Sequence, residues 1–123
     1  MTLATLRAGL KTAITSNSNY SVVDYVPEVV TTPSIMILAS DPWLAPVVFG
    51  DNKAWQVQYT LEVVVAANSN PGALTQLETM VSTLLPLIPK TWRIIQISSP
   101  RIRTTGTADA YSVEVSLSTI YNP

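Results

Sequence analysis

Apolar and polar side chains alternate over two long segments of the chain, residues 55–66 and 110–121. A period of two is typical of a β-strand that buries one face and leaves the other in water. We therefore predict two long strands, which suggest a structural part rather than a catalyst. The apolar positions predicted to share a face are Trp55, Val57, Tyr59, Leu61, Val63 and Val65 in the first segment and Tyr111, Val113, Val115, Leu117 and Tyr121 in the second.

Helical spacing replaces this alternation in two other segments. Apolar residues recur every three or four positions over residues 2–16, and Thr2 is a suitable N-cap. A second helix is predicted to begin at Asn70, an N-cap residue that is followed by proline at the first helical position. We predict that it ends near Leu85, because the two prolines that follow cannot continue a helix.

Shorter strands complete the predicted secondary structure. Residues 20–26 and 92–98 are rich in β-branched and aromatic side chains, and residues 34–39 carry an apolar run that predicts burial on both faces. Residues 101–105 are a candidate continuation of the strand at 92–98. The order α-β-β-β-α-β-β predicts a single domain, residues 1–123, with an α+β fold: a two-layer sandwich whose mostly antiparallel sheet of four to five strands carries both helices on one face.

The segment between the second and third strands, residues 40–54, is predicted to be a long loop. It contains turn signals at Asp41-Pro42, at Pro46 and at residues 50–52. An apolar loop of about 15 residues is uncommon in a compact domain and is often functional. The loop either folds back over the core or serves as a ligand lid or a protein-binding anchor, for which the candidate residues are Trp43, Leu44, Val47, Val48 and Phe49. Two further tryptophans, Trp55 and Trp92, are predicted to lie in the core.

Composition narrows the range of functions. Charged residues make up 12% of the 123 residues, against about 25% in typical domains. With 47% hydrophobic residues, this favours an oligomer or a docked partner that covers apolar surface. The net charge of −1 argues against autonomous nucleic-acid binding. The chain lacks the apolar run of a signal peptide or a membrane span, so we expect a soluble, non-secreted protein with no membrane partner.

The chain contains few residues that could carry out catalysis. The chain has no histidine and no cysteine, which excludes Ser-His-Asp triads and zinc–thiolate sites, and its four glycines are too scattered for a phosphate loop. Glu62 and Glu114 lie on the polar faces of the two long strands; we interpret them as solvated, with a glycosidase-like pair as the alternative. Arg93, Arg101 and Arg103 are interpreted as a solvated face, with a nucleic acid or a partner's carboxylates as the alternative. We predict no catalytic, cofactor-binding or metal-binding residues.

The order and lengths of these elements resemble a known family over nearly the whole chain. The matching segments are the N-terminal helix beginning MTLATLRAGL, the strand VVDYVP at residues 22–27, the strand PSIMI at 33–37, the long strand YTLEVVV at 59–65, the helix with Leu74, Leu77, Glu78 and Leu84, and the final strand AYSVEV at 110–115. Together they resemble the tail terminator (tail completion) proteins of long-tailed bacteriophages, particularly those of phages that infect actinobacteria.

This resemblance implies a structural virion protein and no enzyme. Such proteins form a hexameric ring on the last ring of the tail tube, end tube polymerisation and provide the joint to the head-completion or neck proteins. The five candidate residues of the 40–54 segment would then contact a neighbouring subunit or the tail tube. DNA passes through the ring without specific binding, no cofactor takes part, and the protein is made in the host cytoplasm and resides in the tail-neck region. The alternatives are another neck component (a head-closure or connector protein) and a small α+β ligand-binding domain or hydrolase that uses Glu62 and Glu114.

Overall fold

The computed structural model describes residues 2–15, 20–25, 33–49, 52–66, 70–105 and 108–121. Over these residues the chain forms two helices on a six-stranded sheet, which confirms the predicted α+β class. The elements are α1 (Leu3–Ile14), β1 (Ser21–Val23), β2 (Ser34–Phe49), β3 (Asn52–Ala66), α2 (Asn70–Leu84), a single 3-10 turn (Leu85–Leu87), β4 (Arg93–Ile97), β5 (Arg101–Thr105) and β6 (Ala108–Tyr121).

The sheet has the strand order β1-β2-β3-β6-β4, and β5 pairs with the first half of β6 on the same side as β4. Only the β1–β2 pair is parallel among the strands described; the other pairs are antiparallel. The strand count exceeds the predicted four to five because β5 forms a strand of its own. The two long strands predicted from alternation are β3 and β6, and they are neighbours in register from Trp55↔Tyr121 to Ala66↔Ala110.

Both helices pack on the same face of the sheet, as the order of elements predicted. Alternate residues of β3 and β6 supply the sheet side of this core, and α1 contributes Leu10 and Ile14. The completely buried side chains of this cluster fill the space between the two layers without polar atoms, so burial of apolar surface holds the layers together. They include Leu10, Ile14, Ile35, Val57, Leu61, Val63, Val65, Leu84, Val115 and Leu117.

Hydrogen bonds define both ends of α1. The hydroxyl of Thr2 accepts from the backbone N–H of Thr5 at 3.1 Å, which confirms Thr2 as the N-cap. At the other end, the phenol of the buried Tyr20 donates to the carbonyl oxygen of Ile14 at 2.9 Å. This oxygen is one of the terminal carbonyls that the helix itself leaves without a partner. Burial raises the pKa of Tyr20 above its ordinary value of 10.0.

The Tyr20 contact gives a pH-dependent prediction. Tyr20→Phe is expected to lower the free energy of unfolding by about 1 kcal/mol at pH 7, because it removes a buried hydrogen bond. The folded-state pKa lies above the unfolded-state value, so the contribution of the neutral phenol is complete below about pH 10 and is lost as the pH rises through the folded-state pKa. Urea unfolding of both proteins between pH 7 and 11 measures this. A difference between them that stays constant above pH 10 would contradict the assignment.

The predicted loop at residues 40–54 is wrong. Residues 40–49 continue β2, and residues 52–54 begin β3, so the segment forms the end of a long β-hairpin. Two features of β2 allow it to contain the residues that predicted turns. A bulge accommodates Asp41-Pro42, whose peptide bond is cis, and Pro46 is tolerated because β2 from Ile37 onward is an edge of the described sheet. An edge strand has no partner on one side that would require the missing N–H of proline.

Trp55 and Trp92, both predicted to lie in the core, differ in their burial. Trp92 is buried, at 6% exposure, and its ring lies 5.9 Å from that of Tyr59 at an angle of 60°. Trp55 is 38% exposed, so its prediction as a core residue is wrong. Its position in β3 gives it the parity of the buried residues, yet it pairs with Tyr121 and Pro46 at the hairpin end of the sheet and lies outside the core cluster of the described residues.

Candidate assembly interface

A β-bulge in the middle of β2 shapes the first candidate surface. Residues 40–43 lie between Ala39 and Leu44, whereas only Gln58 lies between their partners Tyr59 and Val57 on β3. The bulge therefore holds three more residues than the opposite strand needs. Bulges of this kind bend a strand and re-aim its side chains, and they occur frequently at sheet edges and functional sites.

Side chains of β3 hold the bulge in place. The amide Nε2 of Gln58 donates to the carbonyl oxygen of Pro42 at 3.2 Å, and the hydroxyls of Ser40 and Thr60 lie 2.7 Å apart in a hydrogen bond. These contacts satisfy backbone and side-chain groups that the interrupted ladder leaves without strand partners. The bulge is thus a fixed part of the hairpin, and its exposed residues Asp41 and Trp43 are presented from a defined position.

Trp43 lies at a concave region of about 300 Å³ beside the start of α1 and the end of β1. Its indole is 41% exposed, and Tyr25 on the same region is 59% exposed. Asp24 ties the neighbouring helix to this region, with its carboxylate 3.3 Å from Nε of Arg7 and 3.8 Å from Nζ of Lys11. We call Tyr25, Asp41 and Trp43 the bulge surface.

The five predicted interface residues do not form one cluster. Leu44 is half-buried against the helix-bearing core, while Val47 pairs with Ala54 and so lies on the opposite face of the sheet. The backbones of Val48 and Phe49 pair with Lys53 and Asn52, and their side chains lie outside the described residues. Trp43 is thus the member that stands exposed on the bulge. Sequence reasoning missed Tyr25, because a non-local parallel pairing of β1 with β2 brings it there.

The second candidate surface lies at the opposite edge of the sheet. All five residues of β4 are exposed. Ile94 and Ile97 pair with Leu117 and Val115, so they share the helix-bearing face, yet they are 40% and 42% exposed. Ile95 is an extra residue without a partner on β6, and it is 46% exposed. Arg93 is also exposed, but it pairs with Ser118 and so lies on the helix-free face. Arg93 and these three isoleucines form the edge surface, which includes both faces of the free edge.

The edge surface continues into an apolar groove. Leu77 and Val81 of α2, Ile97 of β4 and Val113 of β6 line a concavity of about 280 Å³ between the helix and the sheet. An exposed apolar edge strand is a site where proteins associate, and proteins that stay monomeric protect such edges with proline, bulges, inward charges or covering elements. β2 carries Pro46 and a bulge of three extra residues at its free edge, whereas the five-residue β4 has no proline, one charged residue and a single extra residue, Ile95.

Glu62 and Glu114 occupy directly opposite positions on β3 and β6. Like charges in this arrangement repel, and the guanidinium of Arg101 on β5 forms an ion pair with Glu114. The interpretation of both as solvated is wrong for Glu62, which is 9% exposed, whereas the side chain of Glu114 is 39% exposed. The ion pair between Arg101 and Glu114 therefore helps to hold β5 against β6. Among the described residues no group of three or more acidic side chains is arranged to hold a metal ion.

No helix in the described part of the chain is long and apolar enough to cross a membrane.

Comparison with known proteins identifies a fold and no sequence family. No protein-family model matches the chain, and no curated protein is significantly similar to it in sequence. A chain from a solved structure described as the virion of a native gene transfer agent (GTA) particle has the same fold, with a TM-score of 0.63 and 10% sequence identity. The match covers 96% of this chain and 95% of that chain, so the likeness extends over the entire arrangement of helices and strands.

Proposed function

We propose that this protein is a structural component of a phage-like virion, and more specifically a tail terminator. In this role copies of the chain form a ring at the head-proximal end of the tail, end polymerisation of the tail tube and provide the joint to the neck proteins. The observation that carries the proposal is the nearly complete structural match to a chain of a gene transfer agent virion. The order of elements that resembles tail terminators supports the finer assignment.

The exposed surfaces support assembly as the function. The bulge surface and the edge surface lie at opposite edges of one sheet, and each exposes large apolar side chains. A chain with two different association surfaces binds other copies head to tail. Repeated head-to-tail contacts close into a ring when the rotation between successive copies adds up to a full turn. The sparse charge of the chain fits a protein whose surface is largely covered by neighbours.

The net charge of −1 also fits a channel through which DNA moves. Strong phosphate binding requires clustered lysine and arginine, and it would retard the passage of DNA. The helix-free face of β3 and β6 offers amide and hydroxyl side chains instead, at Gln56, Gln58, Thr60 and Ser116. We propose this face as the candidate lining of the channel.

The hydrolase alternative is weaker. A glycosidase pair needs two carboxyl groups that both reach a substrate. Here a concave region of about 360 Å³ lies beside Glu62, Arg101 and Glu114, but Glu62 is only 9% exposed and Glu114 is ion-paired with Arg101, so the two carboxylates do not both face a substrate. The other neck components are the second candidate, because a head-closure or connector protein is also a virion component that would assemble as a ring.

Removal of the gene from its particle-producing host tests the proposed position. A tail terminator is expected to leave heads without attached tails, together with tails of uncontrolled length, whereas a head-closure protein leaves tails of normal length. Electron microscopy of the particles measures both. The wild-type gene is expected to restore normal particles, and so is the Glu62→Gln variant, which retains the shape of the side chain and leaves the Glu114–Arg101 ion pair intact. Normal particles in the absence of the gene would exclude a structural role, and failure of a folded Glu62→Gln variant alone would favour the hydrolase.

A further inference from the structure

We propose that the bulge surface of one copy binds the edge surface of the next copy, so that this one contact repeats head to tail. The inference deepens the proposed ring and rests on it, because it names the two surfaces through which the copies meet. On one side are Tyr25, Asp41 and Trp43, and on the other are Arg93, Ile94, Ile95 and Ile97.

Side-chain chemistry favours this pairing. The bulge surface presents two exposed aromatic rings around a concave region, and the edge surface presents three exposed isoleucines that continue into an apolar groove. Aromatic residues are frequent anchors of protein interfaces, because they bury a large area and lose little conformational freedom. Pro46 and the bulge prevent β2 from pairing as a simple strand, so the contact forms through side chains.

Charge selects the partner of each surface. Asp41 and Arg93 are both exposed, and among the described residues neither forms an ion pair. Two bulge surfaces that faced each other would bring two aspartates together, and two edge surfaces would bring two arginines together. Opposite charges meet only when a bulge surface faces an edge surface. Charge complementarity of this kind sets the register and suppresses wrong partners.

A charge exchange tests the contact. Asp41→Arg and Arg93→Asp are each expected to weaken self-association at least about tenfold, because each places like charges across the interface. The variant with both substitutions is expected to regain association close to that of the wild type. Sedimentation velocity over a range of concentrations up to about millimolar measures all four proteins, and circular dichroism verifies that each is folded. Lys90→Asp, at an exposed residue outside both surfaces, is the control for a general effect of charge and is expected to associate normally.

The outcomes separate this inference from the proposed function. Folded single variants that associate normally, a double variant no better than the worse single one, or a wild-type protein that stays monomeric would each overturn the inference. If the double variant restores association but loss of the gene leaves normal particles, the contact is right and the proposed function is wrong. If loss of the gene gives uncontrolled tails but the exchange has no effect, the function stands and the copies meet through other surfaces.

Discussion

Trp92→Ala is expected to lower the free energy of unfolding by about 3–5 kcal/mol, as is typical when a buried aromatic residue is truncated. The indole is 6% exposed, and from the segment that joins α2 to β4 it packs against Tyr59 of β3. Its removal leaves a cavity that the close-packed neighbours cannot fill. Since domains of this size are stable by about 5–15 kcal/mol, the variant should lose a large fraction of its stability.

Trp55→Ala is the matched control for this loss. Trp55 is the same residue type, but it is 38% exposed and lies outside the core cluster of the described residues, so we expect a loss of about 1 kcal/mol. Trp92→Phe should fall between the two, because a smaller ring retains part of the contact with Tyr59. Chemical denaturation at concentrations where the protein is monomeric measures all three, since association would add its own stability. Equal losses at the two positions would contradict the observed burial.

Alternation predicted the centre of this fold because β3 and β6 are long and each has one face against the helices. The same local signal could not predict how far the helix layer extends. Trp55 has the parity of the core and is nevertheless exposed, because covering it depends on the length and position of helices that are distant in sequence. Glu62 shows the converse: it has the polar parity, and its burial follows from pairing with strands that alternation does not identify.

The prediction of a loop at the bulge of β2 is wrong for a related reason. Asp41-Pro42 and Pro46 interrupt any local strand pattern, and they are compatible with a strand only at an edge. Which strand lies at an edge is a property of the whole sheet, so a single sequence does not reveal it. The exposed apolar residues of the segment were recognised, but their division between two faces required the register of β2 on β3.

Deletion of residues 41–43 is expected to abolish self-association while leaving the fold intact. The three residues are the excess of the bulge, so their removal places Ser40 opposite Gln58 and keeps Ala39 opposite Tyr59 and Leu44 opposite Val57. Every side chain of β2 then retains its face, whereas a shift by one residue would reverse them all. The monomer should unfold with a free energy within about 1 kcal/mol of the wild type, because the deleted side chains at Asp41 and Trp43 are exposed.

The deletion is interpreted by comparison with the Trp43→Ala variant and by separate measurements of folding and association. Trp43→Ala retains the bulge and removes only the indole, so it is expected to weaken association by a factor of about 30 or more, as loss of an interface anchor does. Circular dichroism and denaturation establish that both variants are folded, and sedimentation velocity measures their association. A deletion variant that fails to fold would show that the bulge is required by the hairpin itself. A folded deletion variant that still assembles would remove the bulge from the interface, whereas loss of assembly in a stable monomer would show that these three residues serve association and are not needed for folding.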